Sequence, residues 1–174
     1  LDAPHLLAFA VYTGFAWLLL CAAYTDLRAR IIPELASVYA VPFGVLAAVL
    51  LGVVGFEDWV AVGWRSSVVG ALAGGGGLGL VSWVWWRVAG SEGLAWGDVR
   101  LIAMIGAFVG ALPGLLVVLL LASFAGALGG IVLVLVRGRS AYLPFGPALA
   151  AASLAWVLFG DHIVVRFLPS MRVF

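Results

Sequence analysis

Asp26 and Asp98 stand at the ends of long apolar runs, each two positions ahead of an arginine, Arg28 and Arg100. A carboxylate at the bilayer centre costs roughly 2.5–3.5 kcal/mol on insertion scales, so an acid kept at or just inside a membrane boundary is a functional hypothesis by default. Two carboxylates within reach of one water cannot both ionise comfortably, and the pair comes to share a proton. The ionised member takes a proton from water as it attacks a peptide carbonyl. The protonated member polarises that carbonyl and later helps release the amine. Such chemistry requires no metal, no cofactor and no nucleophilic side chain, and none is expected. Two plainer readings stay open: Asp98, following Gly97, as a helix cap, and Asp26 as the partner of Arg30 four positions on.

The elements that must bring these acids together are membrane helices. The chain has 174 residues, 66% hydrophobic and 10% charged, with a mean hydropathy of +1.23. Its apolar runs approach the roughly twenty residues that cross a bilayer. Spans are predicted at Leu6–Tyr24, Leu35–Gly55, Ser67–Trp86, Leu94–Leu112, Leu115–Val136 and Phe145–Gly160. The expected fold class is an all-α polytopic bundle of about six transmembrane helices, a single domain over residues 1–174. Strands are excluded because the runs do not alternate as a membrane barrel does, and an open sheet edge cannot face lipid. The first run, with no Arg or Lys in Leu1 to Leu7 ahead of it, is too long for an ordinary signal peptide and is read as the first span.

Arginine placement orients the bundle, because positive charge in short loops stays on the cytoplasmic side. All nine basic residues are arginines; Arg28, Arg30, Arg87, Arg100, Arg137 and Arg139 fall on one side of the predicted bundle. Arg65, Arg166 and Arg172 lie opposite, mixed with Glu57, Asp58 and Asp161. Both termini are therefore expected outside, and both aspartates at the cytoplasmic face although 72 positions (98 minus 26) separate them. The arginines are scattered, and a net charge of +1 gives no basic run for nucleic acid. Membrane lipids are the expected partners of Arg28, Arg137 and Arg139.

Other residue patterns have structural readings. Gly70/Gly74, Gly75/Gly79 and Gly106/Gly110 lie at fourfold spacing inside apolar spans, which predicts close helix packing and not a phosphate cradle. Cys21, the single cysteine, excludes a disulfide framework and is expected to pack as a small hydrophobe. His5 and His162 are too isolated for a metal pair. Trp59, Trp64, Trp83, Trp85, Trp86 and Trp96 cluster near predicted boundaries as an aromatic belt. Asp98 to Leu112 covers only about 22 Å, short of a core of about 30 Å. Starting that helix at Leu94 sets Asp98 about one turn below the surface, with Pro113-Gly114 as the turn into the fifth helix.

Two stretches then carry a resemblance: Tyr24-Thr25-Asp26-Leu27-Arg28 through Ile32-Pro33, and Glu92-Gly93-Leu94-Ala95-Trp96-Gly97-Asp98-Val99-Arg100-Leu101. With Ile102 to Gly110 and Leu143-Pro144-Phe145-Gly146-Pro147 behind them, they resemble the prepilin peptidases, or type IV leader peptidases, from about Asp26 to Gly160. The resemblance implies a GxGD-type intramembrane aspartic protease of the bacterial cytoplasmic membrane. Such an enzyme cuts a short basic leader, after a glycine, from prepilin-like or pseudopilin-like membrane proteins. It makes Asp26 and Asp98 the catalytic pair, and Gly97, Ala95, Arg100, Pro144, Gly146 and Pro147 the supporting motif positions. Glu92 is a candidate for binding the basic leader; Glu34, also near the site, has no assigned role.

The chain departs from the family in two places. Ala95 replaces the first glycine of the second aspartate motif, and a positive φ there would strain it by roughly a kcal/mol or more. The cysteine-rich cytoplasmic module of members that also methylate the new N-terminus is absent from these residues. The chain thus resembles the short members, or a piece whose front end was removed, and methyltransferase activity is not predicted. Pro147-Ala148-Leu149 is similar to a signature of presenilin-type GxGD proteases, the nearest rival enzyme. A small proton- or cation-coupled transporter, with the acids as relay groups, and a helical scaffold for a secretion assembly are the readings from other classes.

Overall fold

The computed structural model describes residues 2–56, 60–90, 95–137 and 144–167. Among them the chain forms helices and connecting turns with no strand, as its unbroken apolar runs predict. We number the helices α1 (Ala3–Ala29), α2 (Ala40–Val53), α3 (Trp64–Ala89), α4 (Trp96–Val109), α5 (Leu116–Arg137) and α6 (Gly146–Phe167). A 3-10 turn at Glu34–Ala36 leads into α2, and a wide turn at Ala111–Leu115 leads into α5. Among the described residues four stretches are long and apolar enough to cross a membrane: Ala3–Ala29, Glu34–Val53, Trp64–Ala89 and Ala111–Val136.

Helix ends fall where local chemistry stops them. Pro4 sits in the first turn of α1, where a missing N–H leaves no bond unmade. α1 runs past the predicted Tyr24 and carries Asp26 inside its last turn, not in a loop. It stops at Arg30, which takes the left-handed conformation (φ 56) while its N–H donates to the Asp26 carbonyl. Gly90 closes α3 in the same way at φ 66, which a glycine adopts without strain.

The centre of the bundle is α4. Among Asp98–Val109 only Arg100 and Ala103 escape full burial. Residues so jacketed by protein need not span lipid, which is why α4 is shorter than the predicted Leu94–Leu112 and, at 14 residues, rises only about 21 Å. Leu101, Ile102, Met104 and Ile105 meet Phe15, Leu19 and Ala22 of α1, Val118 and Ala122 of α5 and Leu149 of α6 in one core cluster. Cys21 lies exposed on α1, two positions and about 200° around the helix from the buried Leu19.

The glycines of α3 do pack against α4 as their spacing predicts. A Cβ at Gly70 would overlap the Gly106 backbone, one at Gly74 would lie 2.8 Å from the Ile102 carbonyl oxygen, and one at Gly75 would lie 2.8 Å from the Ala103 Cβ. Stepping up α3 means stepping down α4, so the two helices are antiparallel and in backbone contact. The Ser67 hydroxyl adds a bond of 2.6 Å to the Ala107 carbonyl across the same seam. The spacing also admits a test, because Gly76 on α3 has open space around its missing Cβ. Gly70→Ala should lower stability in detergent by roughly 1–3 kcal/mol through overpacking, whereas Gly76→Ala should leave the thermal midpoint unchanged or raise it. Equal losses in the two variants would contradict a backbone seam.

Candidate active site

Asp26 continues the buried stripe of α1: Phe15, Leu19, Ala22 and Asp26 follow at spacings of four, three and four, one face of a helix. Its side of the bundle is thus fixed by the apolar residues above it. Asp98 is the third residue of α4, in the turn whose free N–H groups and helix dipole favour a negative charge. The residue before that helix is Ala95, at φ −65 and ψ 137, and its carbonyl accepts bonds from the Asp98 and Val99 N–H groups. Alanine therefore stands there unstrained, and the strain that a positive φ would have brought does not arise. The residue at the N-cap is Ala95, and Asp98 lies inside the first turn, so Asp98 is not the capping residue.

Phe15 of α1 stacks on Phe108 of α4, ring centroids 4.5 Å apart and planes 17° from parallel. Asp26 lies eleven residues along from that stack and Asp98 ten residues back from it. At 1.5 Å per residue the two carboxylates stand at depths matching within about 2 Å. They are 7% and 6% exposed. The juxtaposition of helices one and four, which spacing alone left open, is built by an aromatic stack three turns away from the acids.

A third element closes on Asp26. The backbone N–H of Gly146, first residue of α6, donates to Asp26 Oδ2 at 2.9 Å in a buried bond spanning 120 positions of sequence. A Cβ on Gly146 would lie 2.6 Å from the same oxygen, so any side chain there collides with the carboxylate. Pro147 follows in the first turn of α6, where its ring leaves no intrahelical bond unmade, and Pro144 precedes the helix. Gly146 thus begins α6 with its N–H on Asp26 and no room for a side chain between them.

The connection from α1 to α2 lies across the beginning of α4. Ile32 packs at ordinary contact, 3.5 Å, from where a Cβ on Gly97 would be, and Arg100 bonds Glu34 at 3.3 Å. Glu34, unassigned in the sequence, is therefore a partner of a motif residue; nothing in its local sequence announces a pairing 66 positions away. Both side chains are about half exposed, so the pair contributes at most about 1 kcal/mol. Glu92, the candidate leader-binding acid, lies outside the described residues, as do Glu57, Asp58, Trp59, Arg139 and Arg172. Trp64, Trp83, Trp85, Trp86 and Trp96 are each about half exposed, as an interfacial belt requires.

Known proteins share this arrangement of sequence. The profile of the type IV leader peptidase family matches residues 13–131. The chain is 36% identical over 158 residues to the prepilin leader peptidase/N-methyltransferase of Aeromonas hydrophila, covering 88% of the chain and 51% of that protein. With the protein of the same name from Xanthomonas campestris it shares 31% over 169 residues, 89% of the chain and 55% of the relative. A Burkholderia pseudomallei relative, again so named, is 43% identical over 101 residues, 55% of the chain and 31% of its own length. The chain spans about half the length of the first two. No solved structure matches it.

The contact between Gly146 and Asp26 has a thermodynamic signature. Gly146→Ala should destabilise the folded protein by roughly 1–3 kcal/mol through the forced overlap, and less in an Asp26→Ala background where the oxygen is gone. A double-mutant cycle of thermal unfolding in detergent measures that coupling. Independent, additive effects would mean that the α6 N-terminus does not rest on this carboxylate.

Proposed function

The chain belongs to the type IV leader peptidase family, and on that premise we propose that it is a membrane-embedded aspartic endopeptidase removing leaders from type IV prepilin-like membrane proteins. The observation carrying this reading is that two acids from sequence motifs far apart, Asp26 and Asp98, are both buried, on helices that the Phe15–Phe108 stack holds together at matching depth. In the proposed reaction one water sits between them. The ionised carboxylate removes a proton as the water oxygen attacks the scissile carbonyl carbon, and the other delivers its proton to the carbonyl oxygen. Collapse of the tetrahedral intermediate breaks the C–N bond, the amine leaves with a proton, and the pair returns to holding one.

Gly146 supplies the orientation. Its N–H donates to Asp26 Oδ2, which restrains the carboxylate and leaves Oδ1 outside that bond. Positioning of that kind matters because an error of about 1 Å at the reacting atoms can cost about a hundredfold in rate. The arginine-rich end of the bundle, with Arg28, Arg87 and Arg100, supports a cytoplasmic location of the acids in a bacterial inner membrane. The basic leader then stays in the cytosol while the apolar part of the substrate remains in lipid.

Among the described residues Asp26 and Asp98 are the only buried charged side chains, so a proton relay across the bilayer has no further station within them. This favours hydrolysis over transport. Asp26→Asn and Asp98→Asn test the proposal, because an amide keeps the shape of the acid, and at position 26 its oxygen still accepts the Gly146 bond. Each variant should insert normally yet lose at least about a thousandfold of cleavage, measured with a prepilin-like peptide and mass analysis of the cut position. Retention of cleavage by either variant would overturn the assignment.

A further inference from the structure

Between α1 and α2 the chain crosses the opening of α4 and is fastened there twice. Ile32 lies against Gly97, 3.5 Å from where a Cβ would stand, and the Glu34 carboxylate accepts a bond from the Arg100 guanidinium at 3.3 Å. The connection is built as a stiff arm. The Ser37 hydroxyl and the Ala36 N–H both donate to the Pro33 carbonyl, and the Ser37 and Tyr39 N–H groups both donate to the Glu34 carbonyl. Ala36 and Ser37 are 3% and 1% exposed, and Ile32 and Ala36 belong to the core packing around α4. The main chain under Glu34 is thus held by its own bonds, so pairing with Arg100 costs chiefly side-chain freedom.

Arg100 follows Asp98 by two residues, about 200° around the helix, so its side chain leaves α4 on the face away from the carboxylate. Its effect on Asp98 therefore passes through the helix. On the α3 side the tight backbone contacts reach Ile102 and Ala103, whereas a Cβ at Gly79 would come only within 3.4 Å of Val99. The opening turn of α4 is held less closely there, and the arm supplies a second hold. That arm leaves α1 four residues after Asp26 and grips α4 two residues after Asp98, so one short segment joins the supports of both acids. We propose that Glu34 is a positioning residue for hydrolysis: through Arg100 it sets the rotation of the α4 opening turn, and with it the direction in which Asp98 points. The proposal rests on the aspartic-protease reading of the site.

An exposed ion pair shifts such an equilibrium by about fivefold at most, and salt weakens it. Cleavage of a prepilin-like peptide by the whole chain in detergent reads both effects. Glu34→Gln should lower kcat about threefold with KM and the thermal midpoint unchanged. Raising salt from about 0.05 to about 0.5 M should lower kcat of the unmodified protein by a similar factor and leave the variant unaffected. In an Arg100→Gln background Glu34→Gln should cost nothing further. Arg87→Gln removes an arginine from the same end of the bundle without touching the pair, and should leave kcat as it is. A kcat indifferent to Glu34→Gln, an equal salt dependence in variant and unmodified protein, or a loss that persists in full in the Arg100→Gln background overturns the proposal. So does a loss confined to KM, which would make Glu34 a substrate contact, or one that tracks a fall in thermal midpoint. Absence of cleavage by the unmodified chain would sink the protease reading and the positioning role with it, whereas cleavage that ignores Glu34 sinks the positioning role alone.

Discussion

Removing a carboxylate from water is so unfavourable that each buried acid must be met by a donor, a dipole or a companion. In this bundle Asp26 is met by the first N–H of α6 and Asp98 by the dipole of the opening turn of α4. The rest of the architecture follows from supplying those two things at one depth. The Phe15–Phe108 stack sets the level, and the stripe Phe15, Leu19, Ala22 sets the face. The Gly146 backbone closes the remaining side without adding a single side-chain atom.

Such economy of atoms recurs where α3 meets α4. Glycines at 70, 74 and 75 and their counterpart at 106 let two backbones touch, so α4 is enclosed on one side by main chain instead of by a layer of side chains. Its other faces are left for α1, α2 and α6. A helix surrounded in this way can be short, and it can start with an acid without exposing that acid to lipid.

Much of this was legible in the residue order, because it depends on composition and local period. Unbroken apolar runs give helices, fourfold glycine spacing gives a packing seam, and arginines flank the acids. Helix ends were less legible: α1 reaches Ala29 because nothing in Ala22–Ala29 breaks a helix, while α4 is curtailed by neighbours that no local pattern reveals. Contacts between distant positions were least legible. Gly146 and Asp26 are 120 positions apart, and a missing side chain carries no chemical label, so the motif position was visible but its purpose was not. The Glu34–Arg100 pair is hidden likewise, since opposite charges in two loops have many arrangements open to them.

The glycine seam also divides the molecule mechanically. Two main chains in direct contact have no rotamers between them to yield, so α3 and α4 answer a displacement as one stiff plate. The α1 and α6 side is joined through side chains that can rotate and through one hydrogen bond. Any give between the two halves therefore has to come from that flank, where α1 and α6 carry Asp26, and not from the seam beside Asp98.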